Sequence, residues 1–132
     1  MFTKEQIQEA SSKVKSGADY PRLVQDLKKM GILKYDHFVT DGSNIYYGAD
    51  NFSLKTEHDQ EPIPINNTSS ADKLKHTIKI HQAGQTDYPT FCLQAADAGV
   101  EKWVSDLAKM TVSYVDKAGQ TLVEEAIPAG DY

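Results

Sequence analysis

Cys92 is the residue of this chain whose type and position most directly suggest nucleophilic chemistry. It is the single cysteine, and it follows Pro89 in the first turn of an expected helix, where the helix dipole would lower the pKa of its thiol. His81 is the speculative general base in that arrangement. The chain contains an internal repeat, however, and the equivalent residue in the first copy is Val24. Because free cysteine is among the most often buried residue types, we expect Cys92 to pack in the core rather than to catalyse.

His37 is the second candidate for acid–base chemistry. It follows Tyr35 by two residues on an expected strand, both on the side that faces the interior, and its equivalent in the second copy is Ser105. An inward polar side chain must find a hydrogen-bond partner or face a cavity. A site in which His37 and Tyr35 bind a ligand or catalyse, with Asp36 or Cys92 as a further acid, base or nucleophile, is therefore one hypothesis.

The tripeptide Asp-Tyr-Pro occurs twice, at 19–21 and 87–89, and each copy precedes an expected helix. Tyr20 and Tyr88 could form a symmetric pair of ligand-binding residues beside the two aspartates. A structural role is the stronger interpretation, because aspartate can accept bonds from the free amides of a helix start and proline suits the first turn. We keep both tyrosines as ligand-binding candidates and expect each copy to form a joint between helices.

No spacing typical of a metal or cofactor site is found in the sequence. A metal site needs three or four converging His, Cys or carboxylate ligands, whereas His76 and His81 are placed on different faces of one expected helix. A phosphate-binding glycine loop, a Gly-x-Ser-x-Gly elbow and a His-Glu-x-x-His motif are also missing. We expect no metal and no cofactor.

The charge pattern argues against nucleic acid and anionic membranes as partners. The formal net charge is −5, the lysines are scattered and Arg22 is the single arginine, whereas nucleic-acid binding usually shows a basic patch. No apolar run approaches the ~20 residues that span a bilayer. The N-terminus lacks the apolar segment of a signal peptide, and one cysteine suits a reducing compartment. We therefore expect a cytoplasmic protein.

The repeat has an offset of 68 residues and organises the whole chain. Each copy contains two expected helices, which end at glycines, and then two or three strands. We predict a single domain over 1–132, with halves at roughly 3–56 and 70–128 and a polar connector at 57–69. The predicted fold class is α+β, in which two ααββ(β) halves place their helices on one face of an antiparallel sheet.

The first helix and the strand faces can be predicted in more detail. The helix should begin at Thr3, whose hydroxyl can form a capping box, carry Val14 on its apolar side and end at Gly17. On the strands, Tyr35 is equivalent to Trp103, so odd positions should point inward in both copies. A slip of one residue would expose all of these side chains.

Several segments resemble one known family over nearly the whole chain. The similar segments are the Asp-Tyr-Pro joint of the first half, Asp41-Gly42, Tyr46-Tyr47-Gly48, and in the second half 84–92, 99–104 and Asp116-Lys117-Ala118-Gly119. Together they resemble DUF1398, a family of uncharacterised bacterial and prophage proteins that are sometimes labelled phage envelope proteins. The resemblance implies a small intracellular protein of unknown function, and it supplies no catalytic residues.

Two functions follow from these observations. The favoured hypothesis is a non-enzymatic binding or interaction protein, which uses a cleft between the halves or an exposed sheet edge. Its partner would be a protein or a small molecule, and a homodimer is a further alternative. The alternative is a small enzyme with a site formed by His37 and Tyr35, or by Cys92, in the cleft between the halves.

Overall fold

The computed structural model describes residues 2–14, 19–57 and 60–127, and these ranges contain four helices and six strands. In chain order the elements are α1 (Lys4–Ser12), α2 (Tyr20–Lys29), β1 (Lys34–Phe38), β2 (Asn44–Tyr47), β3 (Ser53–Thr56), α3 (Ala71–Gln82), α4 (Tyr88–Asp97), β4 (Val100–Asp106), β5 (Thr111–Asp116) and β6 (Thr121–Ala126). Two helices and three strands thus occur twice, which confirms the predicted α+β class with two ααββ(β) halves. Within the described ranges, no helix has the length and apolar character needed to cross a membrane.

Helix α1 begins as predicted and ends earlier than predicted. Thr3 Oγ1 accepts a bond of 3.3 Å from the Gln6 amide, and Gln6 Oε1 accepts one of 2.9 Å from the Thr3 amide. The last helical residue is Ser12, so the prediction that Val14 belongs to the helix is wrong. The polar run after Ala10 offers no further apolar face to hold another turn. The predicted end at Gly17 lies outside the described residues.

Helices α2 and α4 both begin at the tyrosine of an Asp-Tyr-Pro motif, but the two aspartates differ. Asp87 has an extended backbone, and its Oδ1 accepts a bond of 2.9 Å from the Thr90 amide. Asp19 has a helical backbone conformation and makes no side-chain cap bond. The prediction that aspartate caps both helices is therefore confirmed for α4 and wrong for α2, because a capping side chain needs an extended backbone at its own residue.

The six strands form one antiparallel sheet in the order β3-β2-β1-β4-β5-β6. Each half contributes three neighbouring strands, and the halves meet where β1 pairs with β4 at the centre. This pairing sets Tyr35 opposite Ser105, Asp36 opposite Val104 and His37 opposite Trp103. All backbone groups of the two central strands thus have a strand on each side to pair with.

The two faces of the sheet have different surroundings. On the inner face, Tyr35, Trp103 and other odd residues of β1 and β4 pack with apolar helix residues such as Leu27 and Leu74 in one core, as predicted. The alternate residues form the opposite face, which we call the outer face. Its members are Lys34, Asp36, Phe38, Ile45, Tyr47, Ser53, Lys55, Lys102, Val104, Asp106, Thr111, Ser113, Val115, Thr121, Glu124 and Ala126.

The connector between the halves packs against the end of α4. The Asn66 amide donates to the Ala96 carbonyl, and the Ser70 amide donates to the Ala98 carbonyl, both at 2.9 Å. Gly99 follows α4 with a φ of +91°, and a Cβ built on it would lie 2.6 Å from the Ser69 Cα. Glycine is therefore required at this position twice, by the backbone conformation and by the close approach of the connector.

Gly99→Ala should destabilise the protein more than Gly31→Ala, which is its matched control. Gly31 follows α2 with a φ of +94°, but a Cβ built there would meet no atom within 4 Å. Left-handed strain should lower the free energy of unfolding of both variants by about 1–2 kcal/mol. The clash with the Ser69 backbone should add a further loss in Gly99→Ala alone. Urea denaturation measures both values, and equal losses would show that the connector contact contributes nothing.

Candidate functional site

Tyr20, at the start of α2, joins that helix to the centre of the sheet. Its hydroxyl lies 2.8 Å from the Tyr35 hydroxyl of β1 and 2.6 Å from the Ser105 hydroxyl of β4. Tyr35 and Ser105 face each other across the central pairing, and both are buried. One phenol from a helix thus bonds to both members of a cross-strand pair that joins the two halves.

Tyr88, at the start of α4, has the equivalent position over the next inward pair. Its hydroxyl lies 3.2 Å from His37 Nε2, and its ring meets the Trp103 ring edge-on at a centroid distance of 6.4 Å. The Cys92 thiol lies near this hydroxyl, and each group affects the pKa of the other. Half of the Tyr88 surface is exposed, so the residue stands at the rim of the core with its hydroxyl directed inward.

These two clusters are equivalent under the offset of 68 residues. Tyr20 corresponds to Tyr88, Tyr35 to Trp103, and Ser105 to His37. Each motif tyrosine therefore contacts one cross-strand pair of β1 and β4, in which one member is aromatic and the other carries the polar partner. His37 is the counterpart of a serine that bonds to the other motif tyrosine, and this correspondence indicates a structural role for both.

His37 is held on several sides. It is 5% exposed, its ring stacks on Trp103 at a centroid distance of 4.3 Å, and its Nδ1 lies 2.8 Å from Asn44 Oδ1. A proton on Nδ1 donates to the Asn44 carbonyl oxygen, and Nε2 of this neutral tautomer then accepts the Tyr88 hydroxyl. These contacts fix the orientation of the imidazole ring.

Burial keeps the hydroxyls and the thiol of this region neutral. Loss of solvation raises the pKa of Tyr20, Tyr35 and Tyr88 above its usual value near 10. It also raises the pKa of Cys92 from 9.0 to about 11, so the expected lowering by the helix dipole does not prevail. The neutral forms of these groups therefore predominate at neutral pH.

The speculative base His81 takes part in other contacts. Its ring stacks on Phe91 at a centroid distance of 4.4 Å, and its Nδ1 lies 3.2 Å from the Thr86 carbonyl oxygen. Burial lowers the pKa of His81, which favours the neutral ring. The side chain thus braces the turn that leads into α4.

No cation-binding cluster is formed within residues 2–14, 19–57 and 60–127, because no three His, Cys, Asp or Glu side chains converge there. Two surface clefts have volumes of about 320 Å³ and 170 Å³. The larger lies between the connector and the β5–β6 turn, near Asn67 and Lys117, and the smaller between α3 and β6. The candidates Tyr20, Tyr35, His37, Tyr88 and Cys92 line neither cleft.

Asp36 lies on the outer face, opposite in direction to Tyr35 and His37, so it does not join them in one site as hypothesised. It is 7% exposed, and its Oδ1 has no hydrogen-bond partner in the described part of the chain. Burial and the nearby negative charge of Asp36 raise the pKa of Tyr47. Strand alternation already places residue 36 on the other face from 35 and 37, and that signal could have separated Asp36 from the inward candidates.

Two lysines of the outer face lie near Asp36 without an ion pair. Lys34 Nζ is 4.8 Å from the centre of the Tyr47 ring, and Lys102 Nζ is 5.8 Å from the centre of the Phe38 ring. Among the described residues, neither lysine is within ion-pair distance of a carboxylate. The centre of the outer face thus combines aromatic rings, two ammonium groups and a carboxylate oxygen without a donor.

Cys92 should react slowly with a thiol reagent in the folded protein. With a pKa of about 11, roughly one thousandth of the thiol is ionised near pH 8, and the group is buried. Ellman's reagent should therefore modify the native chain at least about a hundredfold more slowly than the urea-unfolded chain. Cys92→Ala supplies the background rate, and rapid native modification would contradict the burial of this thiol.

The raised pKa of Cys92 also predicts a loss of stability at alkaline pH. The folded state holds the thiol proton more tightly than the unfolded state, so the contribution is complete below about pH 9 and decreases as pH rises towards 11. Urea denaturation between these pH values should show a smaller decrease for Cys92→Ala than for the parent. Identical pH dependence in the two proteins would contradict this assignment.

Tyr20 and Ser105 should be energetically coupled. Tyr20→Phe and Ser105→Ala each remove the hydrogen-bond partner of a buried hydroxyl in this cluster. Each should therefore lower the free energy of unfolding by about 1–2 kcal/mol. The double variant should lose less than the sum, by at least roughly 0.5 kcal/mol. Denaturation of the four proteins measures this coupling, and additive losses would show that the bond contributes no stability.

One protein family matches this chain over most of its length. The model of the DUF1398 family, described as a protein of unknown function, matches residues 8–126 of the 132-residue chain. No curated protein sequence matches the chain significantly. The family match includes both Asp-Tyr-Pro joints and all of the central sheet. The chain belongs to the DUF1398 family.

Proposed function

We propose that this chain is a non-enzymatic protein-binding module, of bacterial or prophage origin, whose binding surface is the outer face of the sheet. The observation that carries the proposal is the Asp36 carboxylate, which is buried at the centre of this face and has an oxygen without a donor. The proposed partner is a protein that places a cationic side chain over this carboxylate.

The composition of the outer face supports protein binding. Its centre carries Phe38, Ile45, Tyr47 and Val104, which are half-buried and lie outside the core that joins the helices to the inner face. Charged side chains lie beside this apolar group on the same strands, and two of them, Lys55 on β3 and Glu124 on β6, lie at the edges of the sheet. An apolar and aromatic centre within a polar rim is the usual anatomy of a protein interface.

The unpaired oxygen of Asp36 supports a partner with a cationic group. A buried acceptor that lacks a donor costs about 1–3 kcal/mol, and more when the group is charged. Gln94 Oε1, on α4, is the other buried side-chain oxygen without a partner in the described residues, but it is a neutral amide and belongs to a helix. A lysine or arginine from a partner would satisfy Asp36 and would be specific for this face.

The alternative enzyme has less support. Its inward candidates Tyr35 and His37 hydrogen-bond to the motif tyrosines Tyr20 and Tyr88, and these bonds join the helices to the central pairing. A substrate would have to break contacts on which the central pairing depends. The neutral thiol and phenols also lack the activation that nucleophilic catalysis requires.

Two matched lysine variants test the proposed surface. Val104 is the cross-strand neighbour of Asp36, so Val104→Lys places an ammonium group where it can satisfy the carboxylate from within the chain. Leu93→Lys is the control, because Leu93 is 57% exposed on α4, away from the outer face. Immobilised parent and variants are compared for retention of proteins from an extract, and free parent is added as competitor.

The parent and Leu93→Lys should retain equal amounts of a specific partner, and free parent should displace it. The amount retained by Val104→Lys should be at least roughly tenfold lower. Equal retention by all three proteins would overturn the proposed surface. The non-enzymatic part of the proposal fails if a metabolite screen shows turnover by the parent that His37→Ala abolishes.

A further inference from the structure

We infer that the protein bound at the outer face is a second copy of this chain, in a symmetric face-to-face dimer. The inference rests on the proposed function, since it names the partner of the same surface. In such an isologous dimer, every contact between two different residues occurs twice, once in each direction across the two-fold axis. A self-binding face must therefore carry both members of each complementary pair, and the outer face does.

The complementary groups are Asp36, Lys34 and Lys102. The Asp36 carboxylate has an oxygen without a donor, while both ammonium groups lie over aromatic rings and have no carboxylate in the described part of the chain. A second copy supplies lysines for Asp36 and a carboxylate for the lysines. An unrelated partner would have to reproduce both features.

The positions of these groups suit a two-fold arrangement. Asp36 and Val104 lie opposite each other at the centre of the β1–β4 pairing. On β1, Lys34 is two residues before Asp36. On β4, Lys102 pairs with Phe38, which is two residues after Asp36. The two lysines therefore lie at opposite ends of one diagonal through the centre. The Cα atom of each lysine lies about 7–8 Å from the centre of this pairing. Packed sheets are about 10 Å apart, and a lysine side chain can reach across that gap to the facing protomer.

The charge of the outer face removes the main obstacle to self-association. The whole chain carries −5, so two copies repel each other at long range. The outer face, however, has three lysines (Lys34, Lys55 and Lys102) and three carboxylates (Asp36, Asp106 and Glu124), which sum to zero. This neutral face is a surface on which copies can meet without net repulsion.

The size of the outer face predicts a reversible dimer. Six strands spaced at about 4.8 Å, with about five residues each at about 3.3 Å, give a flat area of roughly 500 Å² per protomer. Two such faces bury about 1,000 Å², which is the lower limit for a specific interface. We therefore expect a dimer that dissociates on dilution.

Charge exchange between two variants tests the inference directly. Asp36→Lys gives a face with cationic groups at all three central positions, and the double variant Lys34→Glu/Lys102→Glu gives a face with anionic groups there. Neither should pair with itself, because like charges then meet twice. A mixture should form a heterodimer, in which every central contact joins opposite charges.

Sedimentation equilibrium over a wide concentration range supplies the measurement. The parent and the control Leu93→Lys should change from the 14.7 kDa monomer to twice that mass as concentration rises. Each charge variant alone should have a dimer dissociation constant at least roughly a hundredfold higher, and the equimolar mixture should regain the dimer mass. Circular dichroism establishes that each variant is folded, and Val104→Lys, which should also be monomeric, replaces Asp36→Lys if the latter does not fold.

The outcomes separate this inference from the proposed function. A parent that stays monomeric at every concentration overturns the dimer, while partner retention that Val104→Lys abolishes would still support binding of a different protein at the outer face. A dimer that forms equally in the charge variants and in Val104→Lys uses another surface and also overturns the inference. If the parent forms no dimer and Val104→Lys does not change partner retention, both proposals are rejected.

Discussion

The antiparallel pairing of β1 with β4 is the contact on which the rest of the structure depends. It joins the three strands of one half to the three strands of the other, and it sets the register of every residue at the centre. Tyr35 and His37 face the helices because of this register, and Asp36 faces the other way. A slip by one residue would exchange the two faces, placing a carboxylate in the core and aromatic rings outside.

The central pairing also accounts for the contacts of the side chains that suggest chemistry. A joint between two halves needs directional contacts that fix the register, and hydrogen bonds from Tyr20 and Tyr88 to opposite ends of the pairing supply them. Those contacts require burial, and burial penalises the charged forms of phenol and thiol. The same environment that keeps Tyr20 and Tyr88 neutral also raises the pKa of the Cys92 thiol.

The sequence predicted the features that depend on local pattern and on the repeat. Inward odd positions, the starts of α2 and α4 and the burial of Cys92 follow from alternation, proline and comparison with Val24. The features it missed depend on tertiary surroundings. Asp19 and Asp87 are identical in their motif but differ in backbone conformation, and the unpaired oxygen of Asp36 reflects where neighbouring side chains go. Residue types do not encode these differences.

The two faces of the sheet use polar groups in opposite ways. On the inner face, Tyr20, Ser105 and His37 find their partners within the chain, so their burial stabilises the fold. On the outer face, Asp36 and Lys34 form no ion pair with each other, and Lys34 lies over the Tyr47 ring. A chain that needed this face only for stability would gain from an apolar residue at position 36. Within the described residues, packing alone therefore gives no stabilising role to the unpaired oxygen of Asp36.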